Sequence, residues 1–392
     1  MLPRARLLLR ACLPLAAAAL LAAGASPTPA GAAIPTGKGV HAWLFDGTHT
    51  VVTTVSEART VARRDDIVVG VSRYGTYLHA MKATRPGILI AEYHKGTTVK
   101  ADFAWVQANH PDWLLRDAGG NLLKSSWGAY LIDPQLPAVR TWEADYAKSQ
   151  QAKGWTAVYL DSLGTMAFYG FPARPVNPQT GAEFTVDEWL TATTGLAAAV
   201  RGAVSIPVIG NGLNNGTRYF ARTHVLAAGL DGGVFEGCFR DATDPAGAWP
   251  TATAWLSQVK AIAAVQAKGK LALCMTKLWT SATTAQRHRW RAFTLASYLL
   301  ARGGAGYYMF MGSRNQGALS SWNTRWPAIG RATGARTRVG SIWERPFSGG
   351  MVAVNPTGTA RTIALHATYQ TVSGRAVTAI QLAPHSGTVL TN

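Results

Sequence analysis

The chain has few charged residues and no long polar tract. Charged side chains make up 15% of its 392 residues, whereas 48% are hydrophobic. Disordered chains have the opposite balance, so this composition excludes a disordered protein. The length suits one large domain with a smaller companion, because an α/β barrel alone uses about 250 residues.

Long hydrophobic runs are also missing. No stretch approaches the roughly 20 consecutive apolar residues that a transmembrane helix needs. The first residues instead match an export signal, since Arg4, Arg6 and Arg10 precede an apolar run at 11–23 that small residues follow. We therefore expect residues 1–32 to be a signal peptide, and the mature protein to be secreted, extracellular and without a transmembrane segment.

Acidic residues are scarce, with 20 Asp and Glu against 38 Lys and Arg and a formal charge of +18. Removal of the predicted signal peptide takes away three arginines and no acid, which leaves +15. A basic surface attracts nucleic acid, anionic lipid or acidic polysaccharide, and composition does not choose among them. The basic residues are scattered, and their densest cluster, Arg287, Arg289 and Arg291, lies in a predicted helix without a groove-reading pattern. We therefore expect no nucleic-acid partner.

Cysteine is rare, with three residues in the whole chain. Cys12 falls in the predicted signal peptide, so Cys238 and Cys274 remain after export. A disulfide between them and two buried free thiols are the open alternatives. The sequence contains neither HExxH nor CxxC, and its nine histidines are dispersed, so we expect no metal and no other cofactor.

Short apolar runs that end in a polar residue alternate with amphipathic stretches over most of the chain. We predict strands at 40–45, 67–71, 88–93, 157–161, 207–211, 233–236, 271–276 and 306–310. Eight such units in series predict an α/β fold, a closed (β/α)₈ TIM barrel. An open doubly wound sheet usually carries a Gly-rich phosphate loop after its first strand, and Phe45-Asp46-Gly47-Thr48 is not one.

After about residue 337 the helical period gives way to alternation. Apolar and polar residues alternate at 351–354, 362–366, 368–372, 376–382 and 388–390, between Gly and Pro turns. This pattern predicts a small antiparallel β-sandwich. We therefore divide the chain into a signal peptide at 1–32, a barrel catalytic domain at 38–336 and a C-terminal β domain at 337–392.

Two acids that follow apolar strands are the candidate catalytic residues. Asp161 ends the fourth predicted strand and Glu236 ends the sixth, so in a barrel both would point over the same open face. Glycoside hydrolysis needs such a pair, although either acid could instead cap a helix or pair with an arginine. We expect Asp161 to stay ionised as nucleophile or electrostatic stabiliser. We expect Glu236 to hold its proton, because the apolar residues around Phe235 disfavour its charge.

Further residues near the strand ends are candidates for substrate binding. Asp46 and Glu92 end the first and third strands, where structural pairing is an equal alternative, and Asp133 could instead interact with a helix N-terminus. Aromatic rings are included because they stack on the apolar faces of sugars. The predicted substrate-binding residues are Asp46, Tyr74, Glu92, His94, Trp127, Asp133, Asn211, Trp279 and Tyr308.

Three segments resemble a known protein family. They are His110-Pro-Asp-Trp113-Leu-Leu-Arg116-Asp117-Ala-Gly-Gly-Asn121, Asp133-Pro134 through Val139-Arg140-Thr-Trp142, and Gly154-Trp155-Thr-Ala-Val-Tyr-Leu-Asp161-Ser162-Leu163-Gly164. They are similar to the glycosyl-hydrolase-like TIM-barrel family numbered fifteen, which is distinct from the glucoamylase family of that number. The likeness covers most of residues 38–312. It implies a (β/α)₈ catalytic domain with a trailing β-sandwich and paired acids on strands four and six, and it implies no particular sugar.

The sequence therefore favours a secreted glycosidase that acts on a poly- or oligosaccharide, acidic ones included. Two other classes stay open at this point. A carbohydrate-binding barrel without catalysis would keep the aromatic residues. A basic binder of anionic polymers would instead lose affinity steeply with added salt.

Overall fold

The computed structural model describes residues 40–164, 170–213, 229–312 and 327–392. Eight parallel strands form one sheet in which each strand pairs with the next along the chain. A parallel bridge between Ala42 and Tyr308 joins the last strand to the first, and Tyr308 N–H donates to the His41 carbonyl at 2.9 Å. The predicted (β/α)₈ barrel is thereby confirmed. Its strands are β1 (Trp43–Asp46), β2 (Ile67–Gly70), β3 (Leu89–Lys95), β4 (Ala157–Asp161), β5 (Val208–Asn211), β6 (Gly232–Glu236), β7 (Leu271–Lys277) and β8 (Gly306–Met311).

Helices cover the outside of the barrel. The described ranges contain α1 (Val55–Arg64), α2 (Leu78–Thr84), α3 (Phe103–Asn109), α4 (Pro137–Ala152), α5 (Val186–Ala203), α6 (Ala252–Ala267) and α7 (Thr284–Ala301). Capping boxes begin α1 and α5, and a proline in the first turn begins α4. None of these helices has the length and hydropathy to cross a lipid bilayer. The predicted signal peptide lies outside the described residues.

The barrel strands are buried on both faces, because successive side chains point to opposite faces and helices cover the outer one. In β4, Tyr159 packs in one cluster with Ile209 and Val234 of the next two strands. Val158 and Leu160 belong to the other large cluster, which includes side chains of α5, α6 and α7. Successive residues of a strand therefore face either the barrel interior or the helices, and this alternation decides which side chains reach the active face.

The C-terminal residues form an antiparallel six-stranded sheet, consistent with the predicted β-sandwich. Its strands are β9 (Thr337–Val339), β10 (Ile342–Phe347), β11 (Gly350–Asn355), β12 (Arg361–Gln370), β13 (Ala376–Leu382) and β14 (Ser386–Thr391), in the order β9-β10-β11-β14-β12-β13. One face packs on α7, where a Cβ on Gly387 would lie 2.6 Å from Ala296. The strands predicted at 362–366 and 368–372 are one strand with an irregular register, so their separation was wrong. The sheet also contains β9 and β10, which the alternation did not indicate. The domain boundary at 336/337 stays a prediction.

Candidate active site

A cleft of about 400 Å³ opens at the carboxyl ends of strands β3 to β7. Three consecutive strands each end in one polar side chain that lines it, namely Asp161, Asn211 and Glu236. Two predicted aromatic residues, Trp127 and Trp279, lie in the same cleft. The structure thus brings together both predicted catalytic residues and three of the predicted substrate-binding residues.

Three hydrogen-bond donors hold the carboxylate of Asp161. Tyr93 Oη donates to Oδ2 at 2.5 Å, and Ser162 N–H and Asn211 Nδ2 donate to Oδ1 at 2.8 and 2.9 Å. Burial, together with the charge of Asp161, raises the pKa of Tyr93 well above its ordinary value, so the phenol stays a donor. The three donors fix the orientation of the carboxylate and stabilise its negative charge.

Glu236 is linked to Asp161 through Asn211 and to strand β7 through Lys277. The Asn211 amide donates to Oε2 and the Lys277 ammonium donates to Oε1. Burial alone would raise the pKa of Glu236, but Lys277 and Asn211 outweigh it and lower the pKa below its ordinary value. The expectation that Glu236 holds its proton is therefore wrong for the free protein. That expectation considered the apolar neighbours in sequence and missed the cation on the adjacent strand.

Each of the two tryptophans in the cleft carries a lysine ammonium over its ring. Lys95 Nζ lies 4.4 Å from the ring centroid of Trp127, and Lys277 Nζ lies 4.3 Å from that of Trp279. Such distances are typical of cation–π contacts. Flat apolar rings beside charged groups suit a sugar, whose C–H faces stack on the rings while its hydroxyls bond to polar partners.

A disulfide and a tight turn fix the loop after Glu236. Cys238 and Cys274 are bonded, with Cα atoms 5.5 Å apart, so the structure contains the disulfide rather than two free thiols. Gly237 has φ of 79°, and a Cβ there would lie 2.9 Å from the Arg240 carbonyl oxygen. The bridge ties β6 to β7 and thereby keeps Glu236 beside the lysine at the end of β7.

Asp46 and Tyr74 do not reach the cleft. Asp46 is 2% exposed and accepts hydrogen bonds from the Thr50 and Val51 N–H groups at 2.9 Å and from Tyr74 Oη at 2.6 Å. Tyr74 is fully buried. Both side chains are satisfied inside the protein, so their contacts stabilise the loop after β1. For Asp46 this is the structural pairing that was the alternative to substrate binding, whereas Tyr74 was predicted only to bind substrate.

Glu92 and His94 point away from the cleft towards helix α4. Tyr146 Oη donates to Glu92 at 2.7 Å, and His94 Nε2 lies 2.7 Å from the Glu143 carboxylate. Burial raises the pKa of Glu92 to about 7. Burial alone would lower the pKa of His94, but the charge and hydrogen bond of Glu143 raise it. These residues form a buried polar cluster between strand and helix.

Asp133 and Tyr308 are also outside the cleft. Asp133 is buried and accepts a hydrogen bond from Gln135 N–H at 2.8 Å just before α4 begins, in keeping with the structural alternative. Tyr308 is fully buried, 2.7 Å from the Thr294 hydroxyl of α7 and stacked on Tyr298. The assignment of Tyr308 to the substrate was wrong because this strand position faces the helices.

Sequence reasoning missed three polar residues of the site: Tyr93, Lys95 and Lys277. Tyr93 and Lys95 alternate with Glu92 and His94 along β3, so only one pair of the four can face the cleft. Lys277 ends β7 after an apolar run, which is the same signal that singled out Asp161. A search for polar strand ends that included cations would have found it.

The cleft presents groups suited to nucleophilic and acid–base chemistry. Its two close carboxylates can attack a carbon or exchange a proton, while the amide and ammonium groups position them. Within the described ranges, no group of three or more His, Cys, Asp or Glu side chains is arranged to hold a metal ion. The site is therefore built from the two strand-end carboxylates, their donors and two aromatic walls, with Asp241 as a third carboxylate in the lining of the cleft.

Comparisons with known proteins give both a family and a fold. The profile of the family described as hypothetical glycosyl hydrolase family 15 matches residues 77–351. No curated protein matches the chain.

Among solved structures, Eubacterium rectale Amy13B has a TM-score of 0.56 at 10% identity, and the match covers 91% of this chain and 97% of that chain. Trehalose-6-phosphate hydrolase from Bacillus licheniformis has a TM-score of 0.55 at 10% identity over 90% and 99% of the two chains. A GH27 β-L-arabinopyranosidase from Geobacillus stearothermophilus has 0.54 at 10% over 91% and 96%. Identities this low establish the fold alone.

Proposed function

We infer the function from the family first: the chain belongs to the hypothetical glycosyl hydrolase family 15. We propose that it is a glycosidase that cleaves a poly- or oligosaccharide with Asp161 and Glu236. One observation carries the proposal: the amide nitrogen of Asn211 donates hydrogen bonds to both carboxylates. Two carboxylates so close together at one cleft can flank a single glycosidic bond.

The spacing of the two acids supports retention of configuration. Because one nitrogen bonds to an oxygen of each carboxylate, these oxygens are at most two hydrogen-bond lengths apart, or about 6 Å. Retaining glycosidases separate their carboxyl groups by about 5–5.5 Å, whereas inverting ones leave about 6.5–9.5 Å for a water. We propose a double displacement with a covalent intermediate, supported by the short distance between the nearest oxygens of the two carboxylates.

In the first step a carboxylate oxygen of Asp161 bonds to the anomeric carbon as its bond to the leaving oxygen breaks. Glu236, in its protonated form, gives its proton to that leaving oxygen. In the second step Glu236 takes a proton from water, and the water oxygen bonds to the anomeric carbon and releases Asp161. Tyr93 and Asn211 stabilise the Asp161 carboxylate before and after the reaction.

An activity panel tests the proposal. The purified protein is incubated with polysaccharides and aryl glycosides beside the variants Asp161→Asn and Asp145→Asn. Asp145 is an exposed acid on α4, so Asp145→Asn removes the same charge at a position outside the cleft. We expect Asp161→Asn to lose activity by orders of magnitude and to keep sugar affinity, with Asp145→Asn like wild type. Sugar binding without hydrolysis by the wild type would favour a non-catalytic sugar-binding barrel.

The leaving group separates the roles of the two acids. In kcat/KM, which reports the first step, Glu236→Gln should be strongly impaired on natural oligosaccharides and least impaired on activated aryl glycosides, whose leaving groups need no proton. Asp161→Asn should be impaired on both. Equal impairment of Glu236→Gln on the two substrate types would contradict the role of proton donor.

We also propose that the protein is exported and that residues 1–32 are removed. The basic and apolar N-terminal segment supports this, and the disulfide suits an oxidising compartment. N-terminal sequencing of protein from the medium of an expressing bacterial culture tests it. A full-length chain retained in the cells would contradict it.

A further inference from the structure

Lys95 is a cation in the cleft whose charge the proposed mechanism does not use. We propose that Lys95, beside the ring of Trp127, binds the anionic group of an acidic sugar unit, a carboxylate or a sulfate. The substrate would then be an acidic glycan. This inference rests on the proposed function, since it assigns the substrate class of the same cleft.

In the described part of the protein Lys95 makes no salt bridge, and the charge of Asp161 compensates its ammonium only in part. Among the described residues, no carboxylate lies within salt-bridge distance of its ammonium, which contacts the ring of Trp127. The remaining segments, 1–39, 165–169, 214–228 and 313–326, contain no Asp or Glu in the sequence. The other lysine that lines the cleft, Lys277, is paired with Glu236. Lys95 is therefore the cleft ammonium that is available to an anionic ligand.

Lys95 lies beside Asp161, the proposed nucleophile. It is the last residue of β3 and pairs in register with Asp161 on β4. Its ammonium lies 4.4 Å from the ring centroid of Trp127 in the lining of the cleft, so a sugar that packs at this wall would bring a ring substituent to the lysine. Lys100 donates to the Trp127 carbonyl at 2.8 Å and adds a second positive charge behind the same wall.

The electrostatics of this wall favour an anion. Burial lowers the pKa of Lys95, as does the nearby charge of Lys100, and Asp161 compensates only in part. A bound carboxylate or sulfate would supply the missing negative charge and form a charge-assisted hydrogen bond. A neutral sugar would leave the charge of the half-buried ammonium compensated only in part.

The test measures binding with hydrolysis switched off. Asp161→Asn and Asp161→Asn/Lys95→Met are titrated calorimetrically with oligosaccharides from pectate, alginate and hyaluronan, with their carboxyl-reduced counterparts, and with dextran sulfate oligosaccharides. Methionine keeps an apolar chain of similar length over Trp127 and removes the charge. Asp161→Asn/Lys148→Met is the matched control, because Lys148 is an exposed lysine on α4.

We expect at least one acidic series to bind more tightly than its neutral counterpart, and Lys95→Met to weaken it about 10- to 100-fold. Neutral sugars and the Lys148→Met control should be unaffected. The uronate and sulfate series distinguish the two sources of the anion.

The proposal is overturned if no acidic series is preferred. It is also overturned if Lys95→Met weakens the binding of charged and neutral sugars equally, as loss of a packing contact would. Hydrolysis of neutral sugars without such a preference would sustain the glycosidase and reject only the acidic substrate. Lys95-dependent binding of an acidic series without any hydrolysis would sustain the acidic ligand and reject the glycosidase.

Discussion

Replacing Lys277 with methionine should shift the activity of the protein to higher pH. The Lys277 side chain is 6% exposed and its ammonium donates to Glu236. In the proposed mechanism Glu236 must carry a proton to protonate the leaving oxygen. Lys277 opposes this requirement, because its positive charge helps to lower the pKa of Glu236 below the ordinary value.

The direction of the shift follows from the contact. An opposite charge within hydrogen-bond distance lowers a carboxyl pKa by about 1–3 units in proteins generally, and solvent screens the effect at a side chain that is 37% exposed, as that of Glu236 is. Loss of the ammonium should therefore raise the pKa of Glu236. The fraction of protein with a protonated Glu236 then rises at any pH above that pKa.

The assay is the pH dependence of kcat/KM for a natural oligosaccharide, from about pH 3 to about pH 8. Its alkaline limb reports the pKa of the proton donor in the free enzyme, and activity falls as pH rises through that pKa. Lys277→Met should move this limb to higher pH, whereas Lys277→Arg keeps a cation and should leave it near its wild-type position. An alkaline limb that stays in place or moves to lower pH in Lys277→Met would contradict the effect of Lys277 on Glu236.

Three further predictions concern stability and binding. Replacing both Cys238 and Cys274 with serine should lower the free energy of unfolding by about 3–4 kcal/mol. This figure comes from the chain-entropy model for a disulfide that spans 36 residues. An unchanged calorimetric Tm would contradict the prediction. Burial raises the pKa of Glu92 from 4.5 to about 7, so the folded state binds this proton more tightly than the unfolded chain. The free energy of unfolding should therefore fall as pH rises from about 4.5 through about 7, and Glu92→Gln, which keeps an acceptor for Tyr146, should reduce that fall in urea titrations. Trp127→Ala should weaken oligosaccharide binding by about tenfold through lost stacking and buried area, and unchanged calorimetric affinity would remove Trp127 from the subsite.

The barrel could be predicted because its strands are short apolar runs between helices with clear starts and ends. The strand at 157–161 was predicted with its observed bounds, since Trp155-Thr156 precedes it and Asp161 ends it. Strand β10 was missed because Glu344, Arg345 and Pro346 interrupt the apolar alternation there. These residues lie in strands through pairing with β11, which is a tertiary contact.

The part of the site that strand-end residues form could be predicted, because their place at the end of a strand determines where they lie. Residues at strand ends, Asp161, Asn211 and Glu236, meet in one cleft because all parallel strands of a barrel end on the same face. The orientation of residues before the strand end depends on which face the strand presents, and this caused the error at Tyr308. The effect of Lys277 on Glu236 depends on a contact across 41 residues, which no local pattern contains.

The most direct test of the catalytic pair is to trap the covalent intermediate. The protein is incubated with the 2-deoxy-2-fluoro glycoside, bearing an activated leaving group, of the sugar that the activity panel identifies. Intact-mass and peptide mass spectrometry then measure the added mass and locate it. We expect one added glycosyl unit on Asp161 in the wild type and none in Asp161→Asn. A label on Glu236 or another residue, or hydrolysis of natural substrate with no label at all, would contradict it.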